Sequence, residues 1–409
     1  MAEPRATRKY NNDYAPWRHQ PLKAAYVLYQ LLSAVIRLPY WAVLAVPRAW
    51  RPRKSWSWRR TVQVKLIRHL TSMSQIVGPL MISPNHLALV PGTGYHGVWV
   101  EPVPSEFVVG QLRVFAAAAG LSPVKLPGYW VHKVGSTIEL GAPLMPNEKV
   151  AYLLHGGAYT RLSAHPADPT AGIARGLLER VDSVHRTFTI EYRLSSTKPY
   201  KEENPFPAAL LDALTGYNYL VNTLHIPPSD IIVEGDSAGG NLALALIRYL
   251  VEHPVPTLPP PGLLLLLSPW VDLGTSHAYP GSSYYTCSNS DYIVMTTPSL
   301  SLYPIVAFSG PFGLGATEIN RYISPASTFI SDISFANFPP TFISAGGAEV
   351  LRDSIRTLYQ KMAKDMGHKA RYLEAEDGVH DFVVFDGGWH EPERTDTLTA
   401  IAQWVSESS

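Results

Sequence analysis

A single cysteine, Cys287, stands in a chain of 409 residues, so no intramolecular disulfide can support the fold and a reducing compartment suits it best. No N-x-[ST] triplet occurs anywhere, which also speaks against passage through a glycosylating lumen. Charge is sparse at 16%, against 46% hydrophobic residues, a balance that excludes a disordered chain and provides for a large core. No fixed period emerges either: the 36 prolines are scattered, as loop boundaries would be and repeats would not. Cys287, in a Tyr-Tyr-Thr-Cys-Ser context, reads as an ordinary thiol.

Acidic residues are nearly missing from one region. Residues 1–60 hold 12 Lys/Arg against 2 Asp/Glu, and the remaining 349 hold 22 against 31. In that arm Arg51, Arg53, Lys54, Arg59 and Arg60 alternate with Trp50, Trp56 and Trp58, a mixture better matched to a membrane surface than to nucleic acid. The preceding run, 24–46, is apolar but broken by Gln30, Ser33, Arg37 and Pro39, and only 13 uncharged residues separate Lys23 from Arg37. A bilayer-spanning helix needs about 20. Three readings stay open: an anchoring helix lying at a membrane, a helix packed over the mouth of a catalytic site, and a cleaved signal peptide. A cytoplasmic protein, or one held at the cytoplasmic face of a membrane such as the endoplasmic reticulum, is the expectation.

Beyond residue 145, short β-rich apolar runs alternate with amphipathic stretches, which predicts βαβ units and a mostly parallel sheet. The strands fall at 150–154, 187–192, 231–234, 263–268, 340–345 and 370–374, with a further candidate at 128–132. Helices are expected at 171–184, 208–223, 239–252, 354–366 and 396–406. Residues 278–334, rich in Ser, Tyr, Pro and Gly, interrupt the alternation and read as a cap insertion. The resulting division is a basic arm (1–60), an extension that contributes the first strands and part of the cap (61–145) and a catalytic domain (146–409).

One strand, Ile231-Ile232-Val233-Glu234, runs into Gly235-Asp236-Ser237-Ala238-Gly239-Gly240 and then a helix. That is G-x-S-x-G in a strand-turn-helix setting, where the glycines give the clearance that lets Ser237 stand exposed on a tight turn. Eighty residues earlier, a strand ends in His155-Gly156-Gly157-Ala158-Tyr159. Gly156, Gly157 and Ala238 are the expected N–H donors to an oxyanion, with His155 and Asp236 supporting the loops.

For a serine on this turn, the acid and then the histidine follow along the chain. His380 is nominated because it lies in the loop after the last strand, whereas His253, His277, His368 and His390 do not. Past the 340–345 strand, Glu349 sits in the loop and Asp353 at the start of a helix, where a capping role explains it. Glu349 is therefore the favoured acid.

Together these segments resemble the hormone-sensitive-lipase-like family of α/β hydrolases, which includes arylacetamide deacetylase and many carboxylesterases. The likeness spans roughly residues 145–405 and rests on HGGAY (155–159), EYRLS (191–195), FPAAL with Asp212, GDSAGG (235–240), SPWVDL (268–273), GGAEVLRD (346–353) and the His380 loop. The long N-terminal region is similar to that of fungal members. The resemblance implies an α/β-hydrolase fold with helices on both sheet faces, and hydrolysis of hydrophobic neutral esters without metal or organic cofactor. It also admits deacetylation of lipophilic alcohols such as sterols, amide hydrolysis, acyl transfer and, in another class, a non-catalytic ligand-binding protein. Glu349 and Ala158 depart from the family's usual Asp and Gly. Oligomeric state is not legible.

Overall fold

The computed structural model describes residue 10 and residues 14–80, 83–295 and 298–408. Part of the basic arm, 1–9 and 11–13, therefore lies outside the described residues, as do 296 and 297 of the insertion. The continuous apolar runs form strands because both faces of the sheet are covered, and successive residues alternate between two cores. Val150, Tyr152 and Leu154 enter one core, while Ala151 and Leu153 enter the other.

The strands are β1 (His96–Val100), β2 (Leu126–His132), β3 (Lys149–Leu154), β4 (Val184–Ile190), β5 (Ile231–Asp236), β6 (Leu263–Leu267), β7 (Thr341–Gly346) and β8 (Ala370–Ala375). Among the described residues they make one eight-stranded sheet, ordered β1-β2-β4-β3-β5-β6-β7-β8. Only β1–β2 and β2–β4 are antiparallel pairs. One face carries α3 (Gly110–Ala119), α5 (Ala208–Asn218), α6 (Ser237–Glu252) and α10 (Arg352–Met366); the other carries α4 (Ala171–Arg180) and α11 (Glu393–Glu407). Helix α4 stops before the expected residue 184 because Val184 opens β4, and α5 gives way to a π-turn at Tyr219–Thr223.

Two helices precede the sheet: α1 (Leu22–Leu44) and α2 (Trp58–Val77), which pack on each other. The end of the basic arm belongs to the body of the molecule. Trp56 is 1% exposed in the core beneath α11, and Arg60 forms a two-pronged ion pair with Glu393 at 2.7 Å. Helix α1 is turned inside out. On its inner side the Gln30 carbonyl accepts from His69 and Lys23 Nζ donates to Pro79 O, while Arg37 is exposed with the outward residues. Leu28, Leu32, Val35, Ile36, Tyr40 and Val43 face outward, each 58–76% exposed. By length and composition α1 could cross a membrane.

Between β6 and β7 the insertion folds as α7 (Ser283–Thr286), α8 (Pro298–Ser309) and α9 (Gly313–Ile319). Helix α8 packs on α2, so the N-terminal region and the insertion meet. Arg18 joins them by donating to Gln75 O and Ile76 O while its guanidinium covers the Tyr303 ring at 4.0 Å.

Candidate active site

Ser237 occupies the turn between β5 and α6 with φ at +50°, a left-handed backbone that a non-glycine residue adopts only where its surroundings hold it there. The crossing is as tight as the motif requires. A Cβ on Gly239 would lie 1.8 Å from Leu154 O, and one on Gly235 would lie 2.2 Å from Gly239 O. The Ser237 carbonyl is fixed by the Trp270 N–H at 2.8 Å, from the SPW segment after β6.

His380, from the loop after β8, places Nε2 2.9 Å from Ser237 Oγ and Nδ1 3.1 Å from Glu349 Oε2. All three side chains are buried, Ser237 being the most accessible at 7%. Burial pushes Glu349 up to about 7 even though His380 pulls it down. Burial also works against a charged His380, but Asp381 and Glu349 outweigh it and hold the imidazole well above its ordinary value. Asp353 stands apart from this chain. Its carboxylate accepts the Ser283 N–H at 2.7 Å and pairs with Arg352 and Arg356.

The glycine loop lies beside the serine because β3 and β5 are neighbouring parallel strands. Gly157, at φ +107°, turns the chain where a side chain would strike Arg161 O. Gly156 departs from the expectation that its N–H faces an oxyanion. It donates instead to Asp236 Oδ1 at 2.9 Å, because that carboxylate projects across from the next strand. No described residue accepts from the N–H of Gly157, Ala158 or Ala238. His155 is buried, stacked on Tyr192 at 4.2 Å with Nδ1 2.7 Å from Gly156 O, and burial lowers it to about 4. It lies away from the serine hydroxyl and braces the loop.

Further supporting residues carried no clear signal in the sequence. Tyr159 donates to Asn241 on α6 at 2.7 Å and stacks on Phe308 of α8 at 3.8 Å, so the end of the glycine loop is packed into the core against the insertion. Asp291, in the insertion, accepts from the Val350 N–H at 2.8 Å and from the His380 N–H at 3.3 Å, so one carboxylate ties the loops bearing Glu349 and His380. Ser290 and Ser283 extend this latch to Ala348 O and Val350 O. The EYRLS segment has a structural explanation: Arg193 and Asp212 form a buried two-pronged pair, the shortest contact 2.7 Å. Among the described residues no cluster of His, Cys, Asp and Glu is arranged to hold a metal ion.

Residues 151–384 match the family described as alpha/beta hydrolase fold. An acetyl-hydrolase of Streptomyces hygroscopicus is 29% identical over 241 residues, 58% of this chain and 70% of that protein. An esterase of Acinetobacter venetianus is 26% identical over 270 residues, 63% and 75% of the two chains. Among solved structures, an esterase from the bacterial hormone-sensitive lipase family superposes with a TM-score of 0.56 at 22% identity, covering 91% of this chain and 97% of that one. A hormone-sensitive lipase from a metagenome library gives 0.55 at 21% identity, covering 85% and 92%. At such identities the superpositions speak for the fold alone.

Proposed function

We propose that this chain, which belongs to the α/β-hydrolase fold family, is a serine hydrolase of carboxylic esters acting through Ser237, His380 and Glu349. The observation that carries the reading is the continuous contact from Ser237 Oγ through the imidazole to the Glu349 carboxylate, at 2.9 and 3.1 Å. His380 Nε2 takes the hydroxyl proton as Ser237 Oγ attacks the ester carbonyl carbon. The tetrahedral oxygen is received by the N–H groups of Gly157 and Ala238, with Ala158 a further candidate, and the amino end of α6 adds its dipole. Gly156 contributes by holding the loop against Asp236. His380 then protonates the departing alkoxide, leaving an acyl-serine, and water repeats the sequence to release the acid.

The buried Tyr159–Phe308 stack next to the glycine loop supports neutral, hydrophobic esters as the substrate class. The acetyl-hydrolase among the relatives favours a narrower form of the reading, removal of acetyl groups from lipophilic alcohols. The outward apolar face of α1 supports contact with a membrane surface from which such substrates would be drawn.

A fluorophosphonate probe tests the central reading, since only an activated serine reacts. Labelling of wild-type protein that is lost in Ser237→Ala is expected. A folded wild-type protein that stays unlabelled would instead favour a ligand-binding role.

A further inference from the structure

His380 Nε2 has two neighbours. Ser237 Oγ is 2.9 Å away, and Asp381 Oδ2 is 3.1 Å away on the same nitrogen. Asp381 is 8% exposed and sits at φ +48°, in the left-handed region that Asp and Asn adopt more readily than other residues with a side chain. Its N–H is engaged by Ser268 Oγ at 3.1 Å, while its Oδ1 is buried without a hydrogen-bond partner. A left-handed backbone, a buried unpaired oxygen and contact with the reacting nitrogen coincide in one residue. No capping or packing role accounts for all three.

The surroundings are acidic on every side. Glu349 faces Nδ1 from the loop after β7, and Asp291 reaches the His380 N–H from the insertion. Asp236 approaches from the nucleophile turn, with Glu234 behind it on β5; both are buried and interact electrostatically with Asp381. Tyr292 lies with its ring 6.0 Å from the imidazole. Two cations lie in this neighbourhood: Arg68 donates to the Asp291 carbonyl, and Arg161, which interacts with Tyr292, donates to Ser74 Oγ, so neither hydrogen bond is to a carboxylate. Only Asp381 among these acids meets the nitrogen that must accept the serine proton.

We propose that Asp381 is a second carboxylate partner of His380, competing with Ser237 for the Nε2 proton and so setting the pH at which the serine becomes a nucleophile. The inference rests on the hydrolase reading above. An imidazolium held between Glu349 and Asp381 has no lone pair for Ser237. Raising the pH removes the Nε2 proton, and the serine hydroxyl then becomes the donor to that nitrogen. In the second half of each acyl-transfer step, when Nε2 carries the proton destined for the leaving alkoxide, Asp381 holds the same proton from the side.

The test compares wild type with Asp381→Asn, which keeps the volume and tolerates φ +48°, and with Asp381→Gly, which removes the side chain without backbone strain. Two quantities are followed from pH 5 to 10: kcat/KM for 4-nitrophenyl butyrate and the rate of fluorophosphonate labelling. The wild-type rates are expected to rise along an acidic limb displaced well above the ordinary histidine range. In both variants the limb moves down by at least about one pH unit, so that labelling at pH 6 rises roughly tenfold. A limb that stays in place in both variants, with Ser237 still reactive, overturns the role of Asp381 alone. Wild-type protein unlabelled at every pH overturns the hydrolase reading and this inference with it.

Discussion

The Asp236 carboxylate accepts the Gly156 N–H at 2.9 Å, joining the residue before the nucleophile to the glycine loop on the neighbouring strand. One hydrogen bond thus sets the separation of the two segments that would surround a substrate carbonyl. Asp236→Ala leaves the Gly156 N–H buried and unmet, which costs about 1–3 kcal/mol. Loss of loop alignment is expected to lower kcat more than it raises KM. Steady-state kinetics beside a melting curve separate the two effects.

Glu349 and Asp353 are four residues apart and have different partners, so their neutral variants separate in kind. Glu349→Gln is expected to reduce kcat by roughly 10⁴-fold, the scale seen when the carboxylate orienting a catalytic histidine is lost. Asp353→Asn weakens the contact with the Ser283 N–H and the two arginines, and lowers Tm while kcat stays near wild type. The opposite pattern would reassign the acid.

Gly239→Ala places a methyl group 1.8 Å from Leu154 O, a backbone atom that cannot move aside. The expected penalty is about 3 kcal/mol or more, at the upper end for overpacking. Reduced soluble yield and a lower Tm check it.

Glu191 is pushed up to about 8 from an ordinary 4.5, by burial before all else. Above pH 4.5 the unfolded chain has therefore released a proton that the folded chain keeps, so stability falls as pH rises and levels off only above about 8. Glu191→Gln retains an acceptor for the Ser163 hydroxyl and the Ala164 N–H, the contacts Glu191 makes at 2.5 and 3.0 Å. Between pH 6 and 9 the wild type is expected to lose roughly 3 kcal/mol more than this variant, measured by urea unfolding.

Leu32 and Ile36 are 60% and 76% exposed on the outer face of α1. The double variant Leu32→Glu/Ile36→Glu is expected to abolish flotation of the protein with anionic phospholipid vesicles and to leave its melting curve unchanged. Point changes suit this better than removal of residues 1–60, since Trp56 and Arg60 are built into the core. Equal flotation of both proteins would discard the membrane contact.

The parallel half of the sheet was legible because strands covered on both faces need continuous apolar runs, and each of those runs became a strand. Ser237, Glu349 and His380 were nominated by position relative to strand ends, and the fold brings them together. What escaped lay in the antiparallel edge and in side-chain direction. Strand β1 has only five residues, and the first turn of α2 carries Arg59 and Arg60, which read as part of a basic tail until Glu393 is seen opposite Arg60. No spacing rule could reveal that Asp236 takes up the Gly156 N–H, since the contact depends on where a carboxylate points across two strands. Asp291 and Asp381 were hidden for the same reason.

The latch of Ser283, Ser290 and Asp291 has a practical corollary. The segment between β6 and β7, proposed as a cap, is also the brace for the loops bearing Glu349 and His380. Exchanging 278–334 with that of a relative to alter substrate range would also move Val350 and His380. Turnover and selectivity will therefore change together in such chimaeras, and a graft that keeps residues 282–292 while exchanging α8 and α9 is the way to vary selectivity alone.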